Sequence, residues 1–159
     1  MARSIMVALT GVVIAFSVAA RQPHAQVPAP SDSPYVGADS CKDCHTQVYD
    51  AWAKTKHSKA LSKLPAADRA SGQCIQCHVT GSPEVIAAEG ATPSQPNVQC
   101  EACHGAGRRH MEAARAGDAS DVKTQKIDED TCVRCHNETS PHYKPFYYRA
   151  LVGLVHKTD

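Results

Sequence analysis

The sequence predicts a mainly α-helical fold with extensive irregular loops, organised around something other than an ordinary side-chain core. Three observations carry that expectation. The pentapeptide pattern C-x-x-C-H occurs four times, at Cys41-Cys44-His45, Cys74-Cys77-His78, Cys100-Cys103-His104 and Cys132-Cys135-His136, and uses all 8 cysteines of the chain. The segments between these sites are short, and helix-like apolar spacing recurs in them only over brief runs. Aromatic residues make up 5% of the sequence, while 9 glycines and 10 prolines interrupt it, so large core-forming side chains are scarce and breakers are common.

The repeated pattern is the attachment signature of a c-type haem. Two cysteines three residues apart lie on one turn, so both thiols reach the vinyl groups on one edge of a porphyrin. The histidine that follows then turns its imidazole under the ring to ligate the iron from the proximal side. Two rivals fit less well. A disulfide framework needs paired cysteines but no histidine after every second one. Zinc sites spread their ligands over two knuckles and do not require a repeated C-H dipeptide. The reading is therefore a multihaem cytochrome c fold, with four covalently bound haem c groups forming the core.

The N-terminus reads as an export segment. Met1-Ala2-Arg3-Ser4 is a short basic start, Ile5 to Ala20 is an apolar and small-residue run, and Val18-Ala19-Ala20 suits signal peptidase. The run is shorter than the ~20 residues of a membrane span, so residues 1–20 are expected to be a signal peptide and the protein periplasmic. Membrane association would follow only if that segment stayed uncleaved. Residues 21–34, rich in Pro, Ala, Gln and Ser, read as a flexible linker containing His24, a solvent histidine. Residues 35–159 form the expected tetrahaem domain. The mature chain would give each haem only about 35 residues, too few for a conventional interior, so the porphyrins must supply much of the buried apolar surface. A formal charge of +1 gives no nucleic-acid footprint; redox proteins are the expected partners.

In chain order, Thr46 to Leu64 has helical spacing in Val48, Trp52, Leu61 and Leu64, with Pro65 as the stop. His57 lies on this run as a candidate distal ligand. Lys54, Lys56, Lys59 and Lys63 on the same run read as a solvated face rather than a docking patch. The second site sits between loop-forming stretches, and Ala91 to Asn97 is a loop. His110 to Ala116 is helical in composition and ends at Gly117. His110 is too close to the third site to reach the far face of that haem, so it is free to serve a neighbour. Asp118 to Asp130 reads as an exposed connection. Phe146 to His156 is an amphipathic helix candidate whose aromatics would shield a haem, with His156 available to cap an iron.

The sixth ligand decides the redox chemistry, since a methionine raises the potential and a second histidine keeps it lower. Beyond the expected signal segment the only methionine is Met111. Outside the C-H dipeptides, His57, His110, His142 and His156 remain once His24 is set aside. His142 follows Pro141 in a turn beside its own site and is discounted. The count favours three bis-histidine haems and one with an open sixth position.

Several stretches together resemble the tetrahaem cytochrome c-554 family, the electron acceptors of hydroxylamine oxidoreductase in nitrifying bacteria, and their relatives. They are Tyr35-Val36-Gly37, Trp52-x-x-Thr55-x-His57-x-x-Ala60, Cys74-Ile75-Gln76-Cys77-His78-Val79-Thr80-Gly81 and Val98-x-Cys100-Glu101-Ala102-Cys103-His104-Gly105-x-Gly107. They follow the family's order, within roughly Tyr35 to His156. The resemblance implies that His57 ligates the haem at Cys100 and Cys103, that His110 ligates the first, and that His156 ligates the fourth. It also implies a five-coordinate second haem on His78. The expected function is periplasmic electron transfer between redox partners. One alternative is a haem enzyme reducing or oxidising small nitrogen compounds at the His78 haem; the other is a haem subunit of a filament or larger complex.

Overall fold

The structure is a computed structural model that describes residues 32–89, 93–118 and 124–156. The expected signal peptide, 1–20, and the linker as far as residue 31 lie outside the described residues. No described helix is long and apolar enough to cross a membrane.

Among the described residues the chain forms short helices and no strand; an isolated antiparallel bridge joins Val79 to Pro96. The α-helices are α1 (Ala38–Lys42), α2 (Thr46–Ala53), α3 (Gly72–His78), α4 (Pro83–Glu89), α5 (Cys100–His104), α6 (Arg108–Arg115), α7 (Glu129–Val133) and α8 (Tyr148–Leu151). The expected mainly α, loop-rich class holds. The helix expected over Thr46 to Leu64 stops at Ala53 and continues as 3₁₀ turns at His57–Lys59 and Leu61–Lys63. Hydroxyls cause the break: Thr55 donates to the Trp52 carbonyl at 2.7 Å, and Ser58 donates to Ala53 at 2.9 Å and to Thr55 at 3.0 Å. Such bonds offer the backbone an alternative to the helical ladder. Helix α4, opened by Pro83 at its first position, falls where the sequence suggested only loop. Helix α6 ends as expected, with Gly117 in the left-handed region at φ +80°. The amphipathic helix expected over Phe146 to His156 is reduced to α8 and a 3₁₀ turn, Val152–Leu154.

The described interior is small and unusually polar. The buried apolar residues are Ala38, Ile75, Val79 and Ile86, whereas Thr80, Ser94, Gln95, Gln99, Glu101 and Thr131 are buried polar ones. Buried polar groups must be hydrogen-bonded, and here they hold distant segments together. The Glu101 carboxylate accepts from the backbone N–H groups of Val36 (3.0 Å), Gly37 (2.8 Å) and Gly107 (2.7 Å). Gln99 accepts from Ala38 N–H and donates to the Pro96 carbonyl at 2.8 Å. Thr80 accepts from Gln99 N–H and donates to the Asn97 carbonyl, both at 2.8 Å. Asn97, at φ +70°, accepts from Leu61 N–H at 2.9 Å. The entry to α1, the 3₁₀ turns, the end of α3 and the start of α5 are thereby fixed relative to one another.

Candidate haem-binding site

Each C-x-x-C-H segment folds as one helical turn, the conformation the spacing called for. In the first, His45 N–H donates to the Cys41 carbonyl at 2.9 Å, and in the fourth His136 N–H donates to Cys132 at 3.0 Å. The second and third segments lie within α3 and α5. All eight cysteines are unpaired. Among the described residues no group of three or more His, Cys, Asp or Glu side chains is set to hold one metal ion, as a zinc reading would require.

The four turns are neighbours in space. Cys41 and Cys100 lie close enough to act on each other, which holds Cys41 above and Cys100 below the usual thiol range, while the Cys41 thiol donates to the Gly37 carbonyl at 3.6 Å. Cys135 and Cys77 act on each other in the same way, raising Cys135 and bringing Cys77 down to about 7. Burial raises Cys103, with the neighbouring Cys132 adding to it. The anchoring sites therefore run first, third, fourth, second, which is not their order in the chain.

Three further histidines, His57, His110 and His156, complete the arrangement. His45 faces His110 with ring centroids 6.3 Å apart and planes 21° from parallel. His104 faces His156 at 6.2 Å and 23°, and His57 faces His136 at 6.0 Å and 57°. Two imidazoles on opposite sides of one iron, each bonded at about 2.0 Å and with about 1.1 Å from nitrogen to ring centre, would have centroids about 6.2 Å apart. The three pairs fit that spacing. Burial lowers the pKa values of His57, His104 and His136, with His136 adding to the effect at His57 and His156 at His104. A lowered pKa keeps the imidazole neutral, the form that binds metal. The Nδ1 atom of His156 is buried without a protein partner, as fits a ring nitrogen that an iron would satisfy.

His110 stands opposite the first site, as the resemblance implied. The other two partners are exchanged: His57 meets the fourth histidine and His156 the third. Val98 N–H donates to the His57 carbonyl at 3.1 Å, and Trp52 Nε1 donates to the Val98 carbonyl at 2.9 Å. The His57 backbone is thus pinned beside the entry to α5, and its ring reaches His136 instead. Phe146 stacks on His136 at 4.8 Å and 19°, whereas Tyr143 and Tyr147 are exposed.

His78 stands apart. Its Nδ1 donates to the Ala60 carbonyl at 2.7 Å, which fixes the tautomer and leaves Nε2 with its lone pair. Among the described residues no second histidine ring pairs with it, and His142 lies exposed in a turn. Glu101 is the functional residue that sequence reasoning recognised only as part of a motif. Its signal was an acid inside the third site followed by two glycines: Gly105 at φ +79°, and Gly107, where a Cβ would stand 3.0 Å from the carboxylate.

Residues 40–105 match the family described as cytochrome c554 and c-prime. Among solved structures, the reduced state of cytochrome c554 from Nitrosomonas europaea matches with a TM-score of 0.50 and 24% identity, over 80% of each chain. No curated protein matches. The family match and the shared fold bear out the resemblance to the tetrahaem cytochrome c-554 family.

Proposed function

We propose that this chain, a c-type cytochrome of the cytochrome c554 kind, carries four covalent haem c groups and transfers electrons between redox proteins in the periplasm. One observation supports this above the others: three histidine pairs at one iron's spacing stand around four adjoining C-x-x-C-H turns. Haem c, once attached, supplies one-electron iron chemistry. The chain's own residues do the rest. Cys41 and Cys44, Cys74 and Cys77, Cys100 and Cys103, and Cys132 and Cys135 are the covalent anchors. His45, His78, His104 and His136 are the proximal ligands, with His110, His156 and His57 opposite the first, third and fourth. The adjoining thiols set neighbouring groups close enough for electrons to hop along the order first, third, fourth, second. Residues 1–20 act as the export signal, 21–34 as linker and 35–159 as the tetrahaem domain.

The test is a haem count by pyridine haemochrome on exported protein, joined to a redox titration followed by electron paramagnetic resonance. Four haems per chain, three low-spin and one high-spin, are expected. Exported protein without covalent haem overturns the reading.

A second reading has an observation of its own, since among the described residues no histidine ring pairs with His78. On that reading the site binds and transforms a small nitrogen compound. Catalytic turnover of nitric oxide, nitrite or hydroxylamine, lost on replacing His78 and retained on replacing His57, would favour it over a pure carrier.

A further inference from the structure

The sequence alone made Lys54, Lys56, Lys59 and Lys63 a solvated face, but the structure gathers them on one surface. Where α2 gives way to the 3₁₀ turns, the four lysines and Thr55 line a single concave patch. All four lysines are exposed. The ion pairs found among the described residues are Arg108–Glu112 and Arg115–Asp43, so no described carboxylate is ion-paired with the patch. The whole chain carries a formal charge of only +1, so the positive field is local rather than general. His57 lies between Lys56 and Ser58 on this same segment and faces His136. Lys54, Lys56 and Lys59 thus stand within three residues of His57, the ring that faces His136.

We infer that the Lys54–Lys63 surface is the docking site for an acidic redox protein that exchanges electrons with the fourth haem. The inference rests on the electron-transfer reading above. A carboxylate-rich face complements four exposed ammonium groups, and such complementarity steers encounter and raises the association rate. When the partner is the donor, one electron leaves its reduced centre and one ferric iron becomes ferrous. No proton or group is transferred. Lysines suit a transient encounter, because each is a mobile, well-hydrated point charge rather than a rigid fork.

The experiment uses the holoprotein and a reduced plant-type ferredoxin as the acidic probe, with neutral photoreduced lumiflavin as the reference reductant. The second-order rate with ferredoxin is expected to fall at least fivefold between low and physiological ionic strength. The combined variant Lys54→Gln, Lys56→Gln, Lys59→Gln, Lys63→Gln should lower the low-salt rate to a similar degree and lose most of that salt dependence, with lumiflavin rates unchanged. Carbodiimide cross-linking of the unaltered protein should join these lysines to ferredoxin carboxylates. A wild-type rate and salt slope in the variant would overturn the inference. So would an equal loss in the control Lys126→Gln, Lys144→Gln, Arg149→Gln, which removes exposed cations elsewhere. Saturable binding of inorganic phosphate that blocks the reaction at constant ionic strength would assign the patch to small anions instead. Failure of lumiflavin to reduce the protein would count against the electron-transfer reading, not the docking surface.

Discussion

The imidazoles of His57 and His136 face each other at 6.0 Å with their planes crossed at 57°, while the other two pairs lie within 23° of parallel. The angle matters because each imidazole donates into one of two iron orbitals. Near-parallel planes load the same orbital and separate the pair in energy. Crossed planes leave the two closer together, so the largest g-value of the ferric low-spin ion rises. The fourth site should therefore be spectroscopically distinct from the first and third.

That distinction tests the ligand pairing. His57→Met should abolish the crossed-plane signal and raise the potential of one haem, since methionine in place of histidine favours the ferrous state. His156→Met should instead remove one near-parallel signal and leave the crossed one intact. Electron paramagnetic resonance on redox-poised samples reads both. Loss of a near-parallel signal in the His57 variant would restore the pairing implied by family resemblance.

Glu101→Gln should destabilise the protein without changing its haem content. The carboxylate accepts three backbone N–H groups from two distant segments. An amide has one acceptor oxygen in place of two, and its NH₂ group would face those donors. A buried donor left unsatisfied costs about 1–3 kcal/mol, which lowers the melting temperature by several degrees. Calorimetry against a haem count checks both halves.

Much of this was legible in the sequence because it is local. The C-x-x-C-H turn is fixed by five consecutive residues and the end of α6 by Gly117, and counting histidines anticipates three ring pairs among the described residues. The ring partners of His57 and His156 were not legible, since each lies on a segment far away in the chain. The end of α2 at Ala53 was hidden for a related reason: Thr55 and Ser58 look compatible with a helix until their hydroxyls bond backward. The lysine patch required the 3₁₀ turns that helical spacing did not foresee.

Stability should fall as pH drops below about 6.5. Burial lowers the pKa values of His57, His104 and His136 from that ordinary value, so the unfolded chain takes up protons before the folded one does. The resulting stability is fully present above 6.5 and is lost as pH falls through the folded values. Iron ligation acts in the same direction, because a proton and the metal compete for one lone pair. Urea unfolding at pH 7 and pH 5 should show a lower midpoint at pH 5; an unchanged midpoint would contradict neutral buried imidazoles.

Phe146 should set the orientation of the His136 ring. Its ring lies on His136 at 4.8 Å, nearly parallel, so rotation of that imidazole must push against a flat aromatic surface. Leucine at this position keeps most of the apolar volume but removes the plane. Phe146→Leu should therefore leave four haems and three low-spin irons while broadening or shifting the crossed-plane signal, as His136 samples a wider range of angles relative to His57. The two near-parallel signals serve as internal references, because neither His45–His110 nor His104–His156 includes a ring stacked on Phe146. An unaltered crossed-plane signal in the leucine variant would mean that the backbone of α7, and not the stacked ring, holds His136 in place.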